Sequence, residues 1–176
     1  YRLGSSLLVR MPVAASYASK VPKEQTLLPK LGEYINVNIP VPIKMGVPST
    51  DYPYPFSIYK WLDGSSVNHV TLDEQSLEIL AFELATFLKE LQAITDVEGP
   101  GPGQHNWYRG DHVSVYDSGA REQIAKLADI IDSNSAIDLW ERGCGTKWNK
   151  APIWIHGDFA VGNILIKDNK LSGVID

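Results

Sequence analysis

The chain has 176 residues, of which 44% are hydrophobic and 21% charged, a composition typical of soluble globular proteins and not of disordered or fibrous ones. Its net charge of −5 argues against nucleic-acid binding through a generally basic surface, and no apolar run approaches the roughly 18 residues of a membrane span. A single cysteine, Cys144, excludes an internal disulfide and favours a reducing compartment, so a cytoplasmic location is expected.

The proline-rich first third predicts a small sheet with one helix. Tyr1–Leu3 and Leu7–Met11 predict two short strands around a turn at Gly4-Ser5-Ser6. A helix is expected within Ala14–Leu31, and Pro22 fits the first turn of a helix that begins near Val21, because the first-turn N–H groups have no intrahelical partner. Two further strands are predicted over Ile43–Gly46 and Phe56–Leu62.

The clearest helical pattern covers Leu72–Ile94. Thr71 is predicted to cap this helix, with Glu74 completing a capping box three residues later. Leucines recur at three- and four-residue spacing and predict an apolar stripe that faces a core. The stripe consists of Leu77, Leu80, Leu84, Leu88 and Leu91.

The remainder of the chain predicts two more helices and a hairpin. After a glycine- and proline-rich loop, helices are expected over Ala120–Ile131 and Ala136–Arg142, the second ending at Gly143. Ile153–Ile155 predicts a short strand. The final segments, Asn163–Lys167 and Lys170–Ile175, predict a hairpin joined at Asp168-Asn169.

Charge is distributed unevenly along the chain. Lys and Arg outnumber the acidic residues in residues 1–63, whereas Asp and Glu predominate in residues 64–176. We therefore place a lobe boundary near Asp63-Gly64, between an N-terminal lobe with a sheet and a largely helical C-terminal lobe. The chain begins within an apolar stretch and stops directly after a predicted strand, so a fold truncated at both ends is expected.

The candidate catalytic and metal-binding residues lie close to the end of the given sequence. Asp158 follows His156 by two residues, Asn163 follows Asp158 by five, and Asp176 ends the predicted hairpin. An amide and a carboxylate are hard oxygen ligands that suit Mg²⁺, which takes further ligands from phosphate oxygens. Asp158 is then left to receive a proton from a hydroxyl, which is the layout that phosphoryl transfer requires.

The string from His156 to Leu165 (HGDFAVGNIL), followed by the GVID sequence that ends at Asp176, resembles the aminoglycoside phosphotransferase family of small-molecule kinases. The resemblance implies a protein kinase-like, two-lobed α+β fold. It also implies that Asp158 is the catalytic base, that His156 braces the catalytic loop, and that Asn163 and Asp176 bind Mg²⁺.

The N-terminal part resembles the nucleotide side of the same family. Arg10 stands where the family most often has the lysine that holds nucleotide phosphates, and Glu24 would be its carboxylate partner. A surface ion pair is the alternative explanation. Tyr59 and Trp61 lie on the strand that leads to the hinge, where the nucleotide base binds, although core packing explains this aromatic strand equally well.

The sequence offers three alternatives to these assignments. A zinc site built from His105, His112 and Cys144 lacks the spacing typical of zinc ligands. A metal-dependent phosphoesterase that uses His156 and Asp158 as ligands needs further His or Asp ligands. A nucleotide-binding but catalytically inactive protein or fragment remains the main alternative, motivated by Arg10 and by the ends of the chain.

The sequence therefore predicts transfer of the γ-phosphoryl group of ATP or GTP to a hydroxyl of a small molecule, either an aminoglycoside-like antibiotic or a metabolite. Its expected partners are a nucleotide and a small-molecule acceptor, with no nucleic acid and no membrane. The identity of the acceptor is not encoded in the motif.

Overall fold

Every residue from 1 to 176 is described by the computed structural model, in which the chain divides into two units. The first unit comprises Tyr1–Gly99 together with Ile153–Asp176, and the second comprises Pro100–Pro152. The expected lobe boundary at Asp63-Gly64 lies inside the first unit. The division into lobes at that point stays a prediction.

A four-stranded antiparallel sheet forms the N-terminal part of the first unit, with the strand order β1-β2-β4-β3. The side chains of Ser57 and Tyr59 are both buried, as alternate residues on one face of a strand are. Four strands were predicted here, with bounds that differ by a few residues. They are β1 (Arg2–Leu3), β2 (Leu7–Arg10), β3 (Pro42–Gly46) and β4 (Phe56–Lys60).

The single helix expected within Ala14–Leu31 is in fact two helices. They are α1 (Ala15–Ala18) and α2 (Val21–Leu31), separated by a turn. Pro22 lies in the first turn of α2, as predicted, where its missing N–H removes no intrahelical hydrogen bond.

A three-stranded sheet with the order β5-β6-β7 carries the predicted hairpin. Its strands are β5 (Ser65–Ser66), β6 (Ile164–Lys167) and β7 (Lys170–Val174). The turn is confirmed, because Asp168 and Asn169 both adopt positive φ angles, 54° and 58°, and Lys167 pairs with Lys170.

Two features of this region differ from the sequence-based expectation. β5 was not predicted, since two serines carry no strand signal of their own, and it forms by pairing with Leu165 and Ile166. The strand predicted over Ile153–Ile155 is wrong, because this segment pairs with no other strand. Trp154 instead packs against the core and donates its indole N–H to the carbonyl of Val97 at 2.8 Å.

The long helix α3 (Glu74–Ala93) begins three residues after the predicted cap. The capping box of Thr71 and Glu74 is wrong: the N-cap is Asp73, whose carboxylate accepts a hydrogen bond from the backbone N–H of Ser76 at 2.8 Å. Asp caps a helix at least as well as Thr, and Asp73, which directly precedes the first residue of α3, occupies the N-cap position.

The apolar stripe of α3 is also shifted from the predicted one. Leu77 is exposed, whereas Phe87 is among the most buried side chains of the protein. The residues that face the core are spaced alternately four and three positions apart, which is the ordinary spacing along one face of a helix. These residues are Leu80, Leu84, Phe87, Leu91 and Ile94.

The main core of the first unit joins α2, α3 and β7. Leu31 of α2 and Val174 of β7 are buried with Phe87 and Leu91 of α3. A second, smaller cluster packs Leu80 against the buried face of β6. The hairpin is therefore held by the apolar face of α3.

The second unit contains two α-helices, α4 (Asp117–Lys126) and α5 (Ser133–Cys144). The predicted ranges were shifted: α4 begins and ends earlier than Ala120–Ile131, and α5 extends past both ends of Ala136–Arg142. The predicted stop at Gly143 is wrong, because α5 continues through this residue to a C-cap at Gly145. None of the helices in the protein combines the length and the apolar character that crossing a lipid bilayer requires.

Candidate active site

The loop that carries Asp158 is held by short-range hydrogen bonds. Gly157 adopts a φ of 78°, a left-handed conformation that glycine reaches without steric cost. The backbone N–H of Asp158 donates to Nδ1 of His156 at 3.3 Å, and the N–H of Ala160 donates to the carbonyl of Asp158 at 2.9 Å. The carboxylate of Asp158 thus lies on a tight, half-buried turn.

An aromatic cluster supports this loop from α3. The ring of Phe159 stacks on that of Phe87, with centroids 5.9 Å apart and an interplanar angle of 3°. The ring of His156 contacts both edge-on, at 5.4 Å from Phe159 and 6.4 Å from Phe87. Sequence reasoning missed Phe87, although its place in the four-and-three repeat of α3 could have found it.

Asn163 connects the loop to the end of the hairpin. Its side-chain Nδ2 donates to the carbonyl of Asp158 at 3.0 Å, and its own carbonyl accepts from the backbone N–H of Ile175 at 2.8 Å. The second bond places Asn163 beside the residue that precedes Asp176. Three predicted site residues, Asp158, Asn163 and Asp176, are therefore gathered at one end of the hairpin.

Arg10 joins this end of the hairpin to α2. It donates through one guanidinium nitrogen to Oδ1 of Asp176 at 2.5 Å and through the other to Oε1 of Glu24 at 3.4 Å. The predicted partnership of Arg10 and Glu24 is present as a contact, and Asp176 is a second partner that the sequence did not indicate. Whether this trio binds phosphate stays a prediction.

The charge of Arg10 is set by opposing effects. Partial burial disfavours the charged guanidinium, but the carboxylates of Glu24 and Asp176 outweigh burial, and the pKa of Arg10 is raised above its ordinary value. Arg10 thus remains a cation while its side chain is 47% exposed. A half-exposed guanidinium can contact a ligand anion while it keeps its carboxylate partners.

Tyr59 and Trp61 occupy different environments. Tyr59 is only 2% exposed, and its hydroxyl donates to Oε2 of Glu24 at 2.7 Å. Burial, with a further contribution from Glu24, raises the pKa of Tyr59 to about 12. Trp61 directly follows β4. The guanidinium carbon of Arg2 lies over the Trp61 ring, 4.5 Å from the ring centroid. The predicted role of both residues in binding the nucleotide base stays a prediction.

A cavity of about 180 Å³ adjoins Arg10 and Glu24. Its wall includes the start of α2, the segment that follows β2, and Ser57 of β4. Two basic side chains, Arg10 and Lys20, contribute to its lining together with the carboxylate of Glu24. The lining of the cavity therefore combines charged and apolar side chains.

The oxygen donors at the hairpin end are of a kind that would suit a magnesium ion. The amide nitrogen of Asn163 is engaged by the Asp158 carbonyl, so the amide oxygen is the atom that this side chain would offer to a cation. Asp176 offers carboxylate oxygens, and both are hard ligands of the kind that Mg²⁺ prefers. No group of three or more His, Cys, Asp and Glu side chains is arranged to hold a metal ion.

Comparison with known proteins identifies a family and a set of similar structures. The profile of the phosphotransferase enzyme family matches residues 1–176. No curated protein sequence matches the chain significantly. Similar solved structures include a mutant aminoglycoside 2'-phosphotransferase-IIIa in complex with GDP, with 24% identity and a TM-score of 0.69. Others are ADP-bound aminoglycoside phosphotransferase APH(2'')-Ib, with 21% identity and a TM-score of 0.62, and macrolide 2'-phosphotransferase MphH from Brachybacterium faecium, with 18% and 0.59.

These matches confirm the expected family resemblance and the kinase-like α+β fold. They cover 98%, 98% and 97% of the present chain, but only 60%, 59% and 57% of the matched chains, respectively. The chain thus spans about three fifths of the length of the structures that it matches.

Proposed function

The chain belongs to the phosphotransferase enzyme family, and on that premise we propose that the protein transfers the γ-phosphoryl group of ATP or GTP to a hydroxyl of a small molecule. The observation that carries this proposal is the convergence at the hairpin end. Asn163 binds the Asp158 loop on one side and the strand before Asp176 on the other, while Arg10 joins Asp176 to Glu24.

Each residue has a distinct role in the proposed reaction. Asp158 accepts the proton of the acceptor hydroxyl as the oxygen attacks the γ-phosphorus, and it needs a position fixed by its loop. His156 and Phe159 hold that loop against Phe87. Arg10 binds donor phosphate oxygens and stabilises the charge that develops on them.

Asn163 and Asp176 would hold Mg²⁺. When bound, the ion would neutralise phosphate charge and orient the phosphate oxygens. The proposed acceptor is a hydroxylated molecule of the aminoglycoside or macrolide kind, as named for the similar structures, or a metabolite with comparable hydroxyls. A location in the cytoplasm, where ATP and GTP are available, fits this activity.

The test is Mg²⁺-dependent phosphate transfer by the full-length protein, screened against hydroxylated antibiotics and metabolites with ATP and with GTP. Asp158→Asn should lower kcat by about 10²- to 10⁴-fold, because the base is lost, and should leave nucleotide affinity nearly unchanged. The matched control is Asp168→Asn, which makes the same charge change in the hairpin turn, where Asn also tolerates a positive φ.

Unchanged turnover in Asp158→Asn would remove the assigned role of Asp158. A full-length protein that binds Mg-ATP or Mg-GTP but turns over no acceptor in the panel would favour the inactive, nucleotide-binding alternative.

A further inference from the structure

The carboxylate of Glu24 is shared between two elements of the fold. Its Oε1 accepts from Arg10 of β2 at 3.4 Å, and its Oε2 accepts the hydroxyl proton of Tyr59 of β4 at 2.7 Å. Glu24 itself belongs to α2. The Tyr59 bond is the shorter of the two and the more buried, so it is the tighter constraint on where this carboxylate lies.

The Arg10–Glu24 contact alone is a weak constraint. The side chain of Arg10 is 47% exposed and that of Glu24 is 18% exposed. At 3.4 Å in a partly solvated environment, such an ion pair contributes little by itself and leaves the Glu24 side chain able to change rotamer. A second hydrogen-bond partner, itself held in a fixed position, is therefore needed to limit the motion of the Glu24 carboxylate.

Tyr59 has the rigidity that such a partner requires. It is the penultimate residue of β4, where it pairs with Leu8 of β2 on one side and Pro42 of β3 on the other, and its side chain is 2% exposed. The neighbouring Ser57, on the same face of β4, accepts a hydrogen bond from Gln25 of α2 at 2.9 Å. Strand and helix are thus joined at two adjacent points, and the Tyr59 hydroxyl is held in place.

We propose that Tyr59 is a positioning residue of the active site, one whose hydroxyl fixes the Glu24 carboxylate so that Glu24 in turn aims the Arg10 guanidinium at the donor phosphates. The proposal rests on the proposed function, in which Arg10 binds those phosphates. Tyr59 acts through Glu24 and does not itself touch the nucleotide. Its side chain therefore serves the phosphate end of the donor and not the base.

This arrangement predicts a loss that is specific for phosphate. Without the hydroxyl, the Glu24 carboxylate loses its fixed point, and the guanidinium of Arg10 is oriented by Asp176 alone. The affinity for a nucleoside triphosphate then falls, because part of the binding energy orders the Arg10 side chain. The affinity for the corresponding nucleoside, which carries no phosphate, does not change.

The experiment measures binding of Mg-ATP, Mg-GTP, adenosine and guanosine to the full-length protein by calorimetry, for the wild type and for Tyr59→Phe. We expect triphosphate affinity to fall on the order of tenfold, a typical effect of one charge-assisted hydrogen bond, with nucleoside affinity unchanged. Tyr52→Phe is the matched control, because the Tyr52 hydroxyl donates to the backbone carbonyl of Pro12 at 2.6 Å and contacts neither Arg10 nor Glu24.

A double-mutant comparison separates positioning from general loosening of the sheet. In a Glu24→Ala background, Tyr59→Phe should cause no further loss of triphosphate affinity, because the residue through which it acts is gone. An additive loss, or equal losses for triphosphate and nucleoside, would overturn the proposal. A wild-type protein that binds neither triphosphate would refute the proposed function, whereas a wild type that binds, with Tyr59→Phe unaffected, would refute this inference alone.

Discussion

The ring of Phe159 stacks in parallel on the ring of Phe87, with the centroids 5.9 Å apart. Phe159 directly follows Asp158 in the chain, and Phe87 is buried in the C-terminal half of α3. The loop that presents the proposed catalytic base is thus attached to the main hydrophobic core of the first unit. This contact joins core packing to the proposed chemistry.

Removal of the Phe159 ring is expected to loosen the Asp158 loop. Phe159→Ala should lower kcat by roughly tenfold and have a smaller effect on nucleotide affinity, because a misplaced base costs rate more than binding. Stability should fall by about 1–2 kcal/mol, since the ring is only partly buried. Steady-state kinetics and urea unfolding measure the two effects.

Phe82→Ala is the control for that variant. Phe82 lies on the same helix but is 76% exposed, so its removal should change neither kcat nor the free energy of unfolding by a measurable amount. Equal losses of kcat in the two variants would contradict the role given to the Phe159–Phe87 stack.

Arg10 is expected to be replaceable by lysine only in part. The guanidinium reaches Glu24 and Asp176 through different nitrogens, and a single ammonium on a flexible stem does not reproduce this fork. Arg10→Lys should therefore weaken Mg-nucleotide binding by several-fold, and Arg10→Gln should weaken it further.

The matched control is Arg121→Gln in the second unit, because Arg121 also contacts two carboxylates, those of Asp117 and Glu141. This variant should leave nucleotide affinity unchanged, as titration calorimetry can establish. If Arg10→Lys bound nucleotide as tightly as the wild type, the bridging geometry of Arg10 would have no part in donor binding.

The N-terminus of α3 offers a direct comparison between two candidate caps. Asp73→Ala should lower the melting temperature, because the Ser76 N–H loses its acceptor. Asp73→Asn should restore most of the loss. Thr71→Ala should have no effect, since Thr71 precedes the observed cap. Thermal unfolding followed by circular dichroism measures all three, and a larger loss in Thr71→Ala than in Asp73→Ala would place the cap at Thr71.

The pH dependence of stability should carry a signature of Tyr59. Its pKa is raised to about 12 in the folded protein by burial and by Glu24, from an ordinary value of 10.0. Because the folded state favours the neutral hydroxyl, the contribution of Tyr59 to the free energy of unfolding is fully present below pH 10. That contribution is lost as the pH rises from about 10 to about 12. The free energy of unfolding should fall by no more than about 2–3 kcal/mol from this group.

Chemical unfolding at a series of alkaline pH values tests this expectation. Tyr59→Phe lacks the ionisable hydroxyl, so its stability should decline less steeply than that of the wild type above pH 10. Parallel pH profiles for the two proteins would show that Tyr59 does not titrate as its buried position requires.

Much of the fold followed from local patterns. The hairpin was predictable because Asp168-Asn169 favours the positive φ angles of a tight turn between two apolar segments. The helix α3 was predictable from its apolar repeat, although its first residue was not, because Thr71 and Asp73 are both good caps and sequence spacing does not choose between them. The spacing of Asp158, Asn163 and Asp176 likewise indicated one site, since a loop and a hairpin bring both ends together.

The sequence specifies the chemical groups that the proposed reaction needs, namely a carboxylate, an amide and a second carboxylate at the spacing of a phosphotransferase loop and hairpin. The residues that support these groups became visible only when the chain was folded. Arg10 and Asp176 are 166 residues apart in the chain, and the partners of Phe159 and Glu24 lie on distant elements as well. Local patterns fix turns and helices because those depend on neighbouring residues. Contacts such as Tyr59 with Glu24 depend on how a strand and a helix pack, and no local pattern records that packing.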